Sequence, residues 1–448
     1  MPADLRIKGA PGRRAYLNAH LIDASSDLDG RGGILIDDGR IVGVGPQVTA
    51  ATAGAAATIV DCRGAVLMPG LIDMRVITGE PGNEHRETLA SASHAAAAGG
   101  VTTMIVMPNT APVIDDAAIV DFILRRARDT AVVRVVPMAA ITKGLEGRQI
   151  TEIGLLQEAG AAAVTDATRA VFDAAIMKRA LAYANDFGML VVQHVEEPAL
   201  ATGVMNSGEV ATRLGLPEIP SAAEVIMLER DIRLVELTGA RYHAAQISCR
   251  ESLEVVRRAK ERGLPISCGV SVNHLVLNEN DIGAYRTFFK ISPPLRSEDD
   301  RLAMVEGVRD SSIDVIVSSH DPQNPDTKRL PFAEAEFGAI GLETMFSAVL
   351  RLYHDGSVPL PRLVEAMTSA PAGVLGLETG RLQPGAPADL AIADLAQSWR
   401  VEADDLKSAS KNSPFEHTVL EGRIIETVVA GRSVYSLGRG RNAAKRTA

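Results

Sequence analysis

The stretch VLMPGLIDMRVITGEPGNEHRETLASASHAAAAGGVTTMIVMPNTAPVI, residues 66–114, decides the fold. Leu71 to Val76 is an apolar run long enough for a buried strand. A Gly/Pro-rich loop follows at Gly79 to Asn83. The Ala-rich segment from about Glu84 to Ala98 predicts a helix, stopped by Gly99-Gly100. A second apolar run, Val101 to Met107, ends at Pro108. Strand, loop, helix and strand in that order form a βαβ unit, the building block of parallel sheets. In open α/β sheets and in barrels alike, chemistry sits at the carboxyl ends of the strands. Arg75, Ile77 and Asn109 are therefore predicted to face a site.

Downstream the alternation continues. Six more apolar runs follow: Val132 to Met138, Ala161 to Thr165, Met189 to Gln193, Arg241 to Ile247, Pro265 to Val270 and Ile313 to Ser318. Helical patterns separate most of them, with Ile119, Phe122, Ile123 and Arg126 assigned to one face, and Ala174, Met177, Ala180 and Leu181 to another. Eight β/α units in about 310 residues predict a TIM-type (β/α)8 barrel. An open doubly wound sheet is the alternative, disfavoured by the count of eight. Both chain ends read as β-structure instead. AYLNAHLIDAS and GILIDDGRIVGVG alternate apolar and polar residues, and Asp37-Asp38-Gly39-Arg40 is a hairpin turn signal. ADLAIADL and HTVLEGRIIETVVAGRSVY close the chain. The predicted organisation is a small β-sandwich from residues 1–65 and 378–437, an α/β barrel over 66–377, and a disordered basic tail at 438–448.

Composition narrows the function. A net charge of −10 over 448 residues argues against nucleic acid, whose binding needs a basic face. Cys62, Cys249 and Cys268 are scattered and odd in number, as expected of reduced core thiols in a cytoplasmic protein rather than a disulfide framework. No run approaches the ~18 apolar residues of a membrane span, and the first residues lack the apolar core of a signal peptide. His85, His94, His354 and His417 fall in helices or loops and are expected at the surface.

Pro69 to Met74, Glu80-Pro81-Gly82, Gly99 to Thr103, Met107 to Thr110, Pro293 to Arg296, Phe337 to Thr344 and the end pattern LQPGAPADLAI together resemble the dihydroorotase branch of the amidohydrolase superfamily over nearly the whole chain. The resemblance implies a barrel wrapped by a small β-sandwich, and a pair of zinc ions at the strand ends. It also marks what is missing. Where the family has its two zinc-binding His residues on strand one, this chain has Arg75 and Ile77; where it has a substrate-binding Arg, this chain has Gly79. Asp166 matches the bridging carboxylate on strand four and His194 the ligand on strand five. Gln246 stands at the strand-six His, and Ser319 at the strand-eight Asp that is both ligand and base. Ser292 and Gln323 replace a substrate-binding Asn and His, while Asn109 is retained as a substrate contact.

Of the metal shell only Asp166 and His194 remain, too few for zinc, which takes three protein ligands and a water in catalytic sites. Asp321 is the best substitute ligand near the position of Ser319. His243 and His320 lie at odd spacing from Gln246 and Ser319 and are expected to point to the opposite face. Without zinc, water keeps a pKa near 15.7 instead of about 7, and the hydrolytic nucleophile is missing. No cofactor is therefore expected, and Arg75 is expected to pair with Asp166, or with Asp321, across the vacated position.

Three readings follow. The first is a non-catalytic dihydroorotase homologue of pyrimidine biosynthesis, homo- or hetero-oligomeric; the resemblance implies aspartate carbamoyltransferase as its partner. The second is an active dihydroorotase, interconverting carbamoyl aspartate and dihydroorotate, with zinc in an altered site. The third is a binding protein that uses the emptied pocket, with Asn109 as a contact, for a small metabolite.

Overall fold

Eight strands, each followed by a helix, alternate from Leu71 to Met367 in the computed structural model, which describes residues 12–438. Leu71–Val76, Val101–Val106 and Arg134–Pro137 form one parallel sheet. Ala163–Val164, Leu190–Gln193, Tyr242–Ala244, Ile266–Ser271 and Val315–Val317 form another. Two single parallel bridges, Ala139 to Val164 and Val76 to His320, join the sheets at both seams. Ala139 N donates to Ala163 O at 3.0 Å, and Ile77 N to His320 O at 2.8 Å. The strands therefore close into a (β/α)8 barrel, and the open sheet is excluded.

The continuous apolar runs follow from burial on both faces. Ile72, Met74, Ile105, Met107, Val136, Met138, Leu190, Val192, Val315 and Val317 pack together as one layer of alternate strand residues. Their neighbours Met104, Val106, Val135, Val191 and Ile316 pack in the larger core with the helices. Three helical predictions need correction. The first helix is Leu89–Ala98, not Glu84–Ala98. Thr88 caps it by exchanging hydrogen bonds with Ser91, which fixes the start, while Glu87 is drawn into a buried contact with His320. On Ala117–Thr130 the buried stripe is Val120, Ile123, Leu124 and Ala127; Phe122 is 45% exposed and Arg126 turns out to meet Glu80. On Ala174–Asp186 the stripe is Ile176, Met177, Ala180, Leu181 and Ala184, with Ala174 itself exposed.

Both chain ends build one eight-stranded sheet, the small β-sandwich domain. Its order is Arg432–Ser436, Val419–Val429, Leu390–Arg400, Val66–Pro69, Arg13–Asp23, Leu28–Asp37 and Arg40–Gly45, with Thr58–Asp61 also paired to Arg13–Asp23. Val66–Pro69 joins the two ends, so the N-terminal share of this sheet runs to Pro69 rather than to residue 65. Asp38 and Gly39 take φ of 45° and 80°, the left-handed turn predicted for that hairpin. Arg134 at the barrel reaches Asp389 at 2.7 Å, a nearly buried ion pair between barrel and sheet. The basic tail predicted at the chain end falls on residues 439–448, outside those described. Cys62, Cys249 and Cys268 are free and buried. Among the described residues no helix is long and apolar enough to cross a membrane. His85, His94, His354 and His417 are exposed.

Candidate functional site

At the carboxyl ends of the barrel strands lies a cavity of about 600 Å³. Arg75, Asn109, Ser292, Ser319, Asp321 and Gln323 all line it, together with Arg86, Arg169, Glu196 and Glu336. A register shift between Asp73 and Val76 breaks the alternation of the first strand and lets Arg75 reach this end. Ile77, 7% exposed, packs in the inner apolar layer with Met74 and Met107.

Arg75, Gln246 and Ser319 form one hydrogen-bonded chain. With the Gln246 amide oriented to suit its neighbours, its Oε1 accepts from Arg75 Nε at 2.5 Å and from Ser319 Oγ at 3.2 Å. Ser319 holds φ of 53°, a left-handed conformation that is uncommon for a residue with a side chain. Three of the four positions expected to stand in place of zinc ligands are thus bonded to one another, and the fourth, Ile77, is hydrocarbon.

The two retained donors are engaged elsewhere. Asp166 Oδ1 accepts from Ile141 N and Thr142 N, both at 2.9 Å, and Oδ2 accepts from Thr142 Oγ1 at 2.5 Å. Burial raises the Asp166 carboxyl to about 6 against the pull of these bonds. His194 Nε2 lies 3.2 Å from both Glu196 Oε2 and Ser292 Oγ. Among the described residues no group of three or more His, Cys, Asp or Glu side chains is arranged to hold a metal ion. The donor set, with a guanidinium among it, does not fit a zinc centre.

The expected Arg75–Asp166 pair does not form, and nor does the Arg75–Asp321 pair: among the described residues Arg75 makes no ion pair. Asp166 is satisfied by donors at the end of strand three, leaving it no need of a guanidinium. Burial pulls the Arg75 pKa down, with Asp321, Asp73 and Glu196 acting against this through space. Asp321 instead accepts from Gln323 Nε2 at 2.7 Å, and burial raises its carboxyl to about 6. His243 and His320 do point away, His243 to Ser267 Oγ at 2.8 Å and His320 to Glu87 at 3.5 Å.

At the positions expected to contact a substrate, Gln323 Oε1 accepts from Arg86 Nη1 at 3.3 Å, and Asn109 lines the cavity with its Oδ1 buried and unpartnered. Gly79 sits in a loop so tight that a Cβ there would lie 1.9 Å from Asn83 O. Glu196, Arg86 and Arg169 were not singled out from the sequence. Glu196 had a signal: it stands two residues beyond His194, on the same face of an extended segment. Arg86 had none, because its partner Gln323 is 237 residues away.

A dihydro-orotase-like family model matches residues 64–252, and an amidohydrolase family model matches 333–435. A dihydroorotase of Wolbachia sp. subsp. Drosophila simulans is 41% identical over 424 residues, 94% of this chain and 95% of that protein. One from Citrifermentans bemidjiense is 43% identical over 416 residues, 93% of this chain and 97% of that protein. Among solved structures, the L-hydantoinase (dihydropyrimidinase) of Arthrobacter aurescens superposes with a TM-score of 0.86 at 25% identity, over 96% of this chain and 97% of that one.

Proposed function

The chain belongs to the dihydroorotase family of amidohydrolases, and we propose that within it the protein is a non-hydrolytic member of pyrimidine biosynthesis, a structural or regulatory partner of aspartate carbamoyltransferase. The observation that carries this reading is the Arg75–Gln246–Ser319 chain at three of the zinc-ligand positions. A guanidinium among those groups repels a dication, and neither an amide nor a hydroxyl replaces the anionic or imidazole donors that zinc prefers. The framework is matched over more than nine-tenths of its relatives, so the scaffold of the family is retained while the groups at the strand ends differ. The partner comes from the family resemblance.

A second reading, an active dihydroorotase with an altered site, is favoured by the names of those relatives. Two measurements separate the readings. Purified protein should carry no stoichiometric zinc after desalting and should hydrolyse dihydroorotate at background rate, with or without added zinc. A rate that disappears on Asp166→Ala establishes the second reading. For the partner, co-expression followed by size exclusion should give one complex; two separate peaks with carbamoyltransferase activity unchanged would sink that half of the proposal.

A further inference from the structure

A second pocket, of about 650 Å³, opens on the outer side of the loop that follows strand eight. The turn Thr287–Phe289, the short helix Pro325–Lys328 and the connection 411–416 form its walls. Among the described residues four cations line it, Arg286, Lys328, Arg329 and Lys411, against one acid, Glu416. In a chain of net charge −10 this is a local reversal of sign. The loop sorts its charges to make it. Asp321 and Glu336 line the barrel cavity, Lys328 and Arg329 line this pocket, and the two spaces share Gln323 alone as a wall.

Three of the cations have donors to spare. Arg286 gives Nη2 to Glu416 at 3.2 Å, and its Nε and Nη1 make no hydrogen bond among the described residues. Arg329 reaches Asp326 at 3.4 Å, in a pair whose side chains are 78% and 83% exposed and which therefore holds it weakly. Lys411 Nζ donates to Leu406 O and Ser408 O and keeps one proton free. Lys328, 4% exposed, spends its three on Thr287 O, Lys290 O and Glu336 O and adds only its field. Burial lowers its pKa to about 7, Asp321 and Glu336 acting against this and Lys290 with it. Beside these groups stands Tyr285, 46% exposed. It holds φ of 62°, a left-handed conformation that strains a bulky residue, and such strain collects at functional positions. Its hydroxyl donates to Leu214 O at 2.8 Å, which fixes the ring at the rim.

We propose that this outer pocket is a binding site for a phosphorylated aromatic molecule of mononucleotide size, its phosphate held by Arg286, Arg329 and Lys411 and its ring stacked on Tyr285. Guanidinium and ammonium groups converging on one space suit a dianion with several acceptor oxygens better than a single carboxylate. A fixed, exposed aromatic face accepts a planar ring without reading its edges. The volume fits one small molecule. The site is separate from the barrel cavity and does not depend on whether a metal sits at the strand ends.

The test is calorimetric titration of the full chain with adenosine monophosphate, adenosine and inorganic phosphate at physiological ionic strength. The monophosphate should bind, phosphate about tenfold more weakly for want of the stacked ring, and adenosine more weakly still. Arg286→Gln should weaken the monophosphate by about tenfold, the loss of one charge-assisted contact. Arg329→Gln should act in the same direction. Its side chain is exposed, so this variant keeps the proposal falsifiable if Arg286→Gln, which also releases Glu416, misfolds. Tyr285→Leu should weaken the monophosphate by about tenfold and leave phosphate unchanged. Arg169→Gln, in the barrel cavity, should change nothing. No binding of the monophosphate at ~5 mM, adenosine bound as tightly as the monophosphate, or affinity undiminished in the folded arginine variants each overturns the site. Affinity lost in Arg169→Gln instead moves the ligand to the barrel and overturns it too. Phosphate bound as tightly as the monophosphate, with Tyr285→Leu silent, overturns the assignment of an aromatic ligand.

Discussion

Replacing Arg75 by Met should stabilise the protein. The wild-type guanidinium is almost fully buried and has no ion-pair partner among the described residues. Burying an ion costs several kcal/mol even after the surroundings relax. Against that stands the charge-assisted contact of Arg75 Nε and Nη1 with Gln246 Oε1, worth about 1.5–3 kcal/mol. Gln246 keeps Ser319 as a partner after the substitution. The through-space attraction of Asp321, Asp73 and Glu196 returns part of the burial cost. The balance favours Met by about 2 kcal/mol, within the range seen when buried ionic groups are replaced by apolar ones. For a chain of 448 residues this corresponds to about 2 °C in Tm, from roughly 2.1 cal/mol/K of unfolding entropy per residue. Scanning calorimetry at pH 7 and pH 5 reads it. The gain should be larger at pH 5, because the Asp321 carboxyl, raised to about 6, is then mostly neutral and no longer supports the guanidinium. A loss of 2 kcal/mol or more, or a gain that shrinks at pH 5, refutes the reasoning and shows that Arg75 has an anionic partner.

Zinc should remain unbound by Arg75→His alone, because Ile77, Gln246 and Ser319 still offer no ligand. The combined Arg75→His, Ile77→His, Gln246→His and Ser319→Asp variant should retain zinc after desalting, read by metal analysis. Thr142→Val removes the hydroxyl that donates to Asp166 and accepts from Gly147 N, and should cost about 2–3 kcal/mol in denaturant unfolding. His243, 1% exposed, is held neutral by burial, which with Lys260 lowers its pKa from 6.5 to about 3. The unfolded chain therefore binds a proton below 6.5 that the folded chain refuses, and stability falls as pH drops from 6.5 toward 3. His243→Gln should flatten that fall by about 1.4 kcal/mol per pH unit; parallel stability–pH curves for the two proteins would show that the ring titrates normally.

The eight barrel strands were legible because each is buried on both faces and leaves a continuous apolar run. Their closure was legible only as a count, since the seams are single bridges whose residues carry no mark in the sequence. Helix faces read less well. Phe122 joined the apparent stripe of its helix by size, yet its neighbours Val120 and Leu124 are the buried ones. At the site, several of the residues singled out from the sequence line one cavity, but their pairing differs from the expected one. Asp166 looked as though it needed a cation; it took two main-chain N–H groups and a threonine hydroxyl from the segment that follows the preceding strand. Backbone donors are the same for every sequence, so only the fold could disclose them.

Gly79 also limits which substitutions the protein can accept. Its loop folds so closely on itself that a single added carbon would collide with Asn83 O at 1.9 Å and Glu87 O at 2.7 Å. Single exchanges can place histidines at the strand ends, but an arginine at residue 79 must wait until the surrounding main chain takes another route. The loop thus ranks the possible changes: ligand side chains fit at the strand ends before an arginine fits at residue 79.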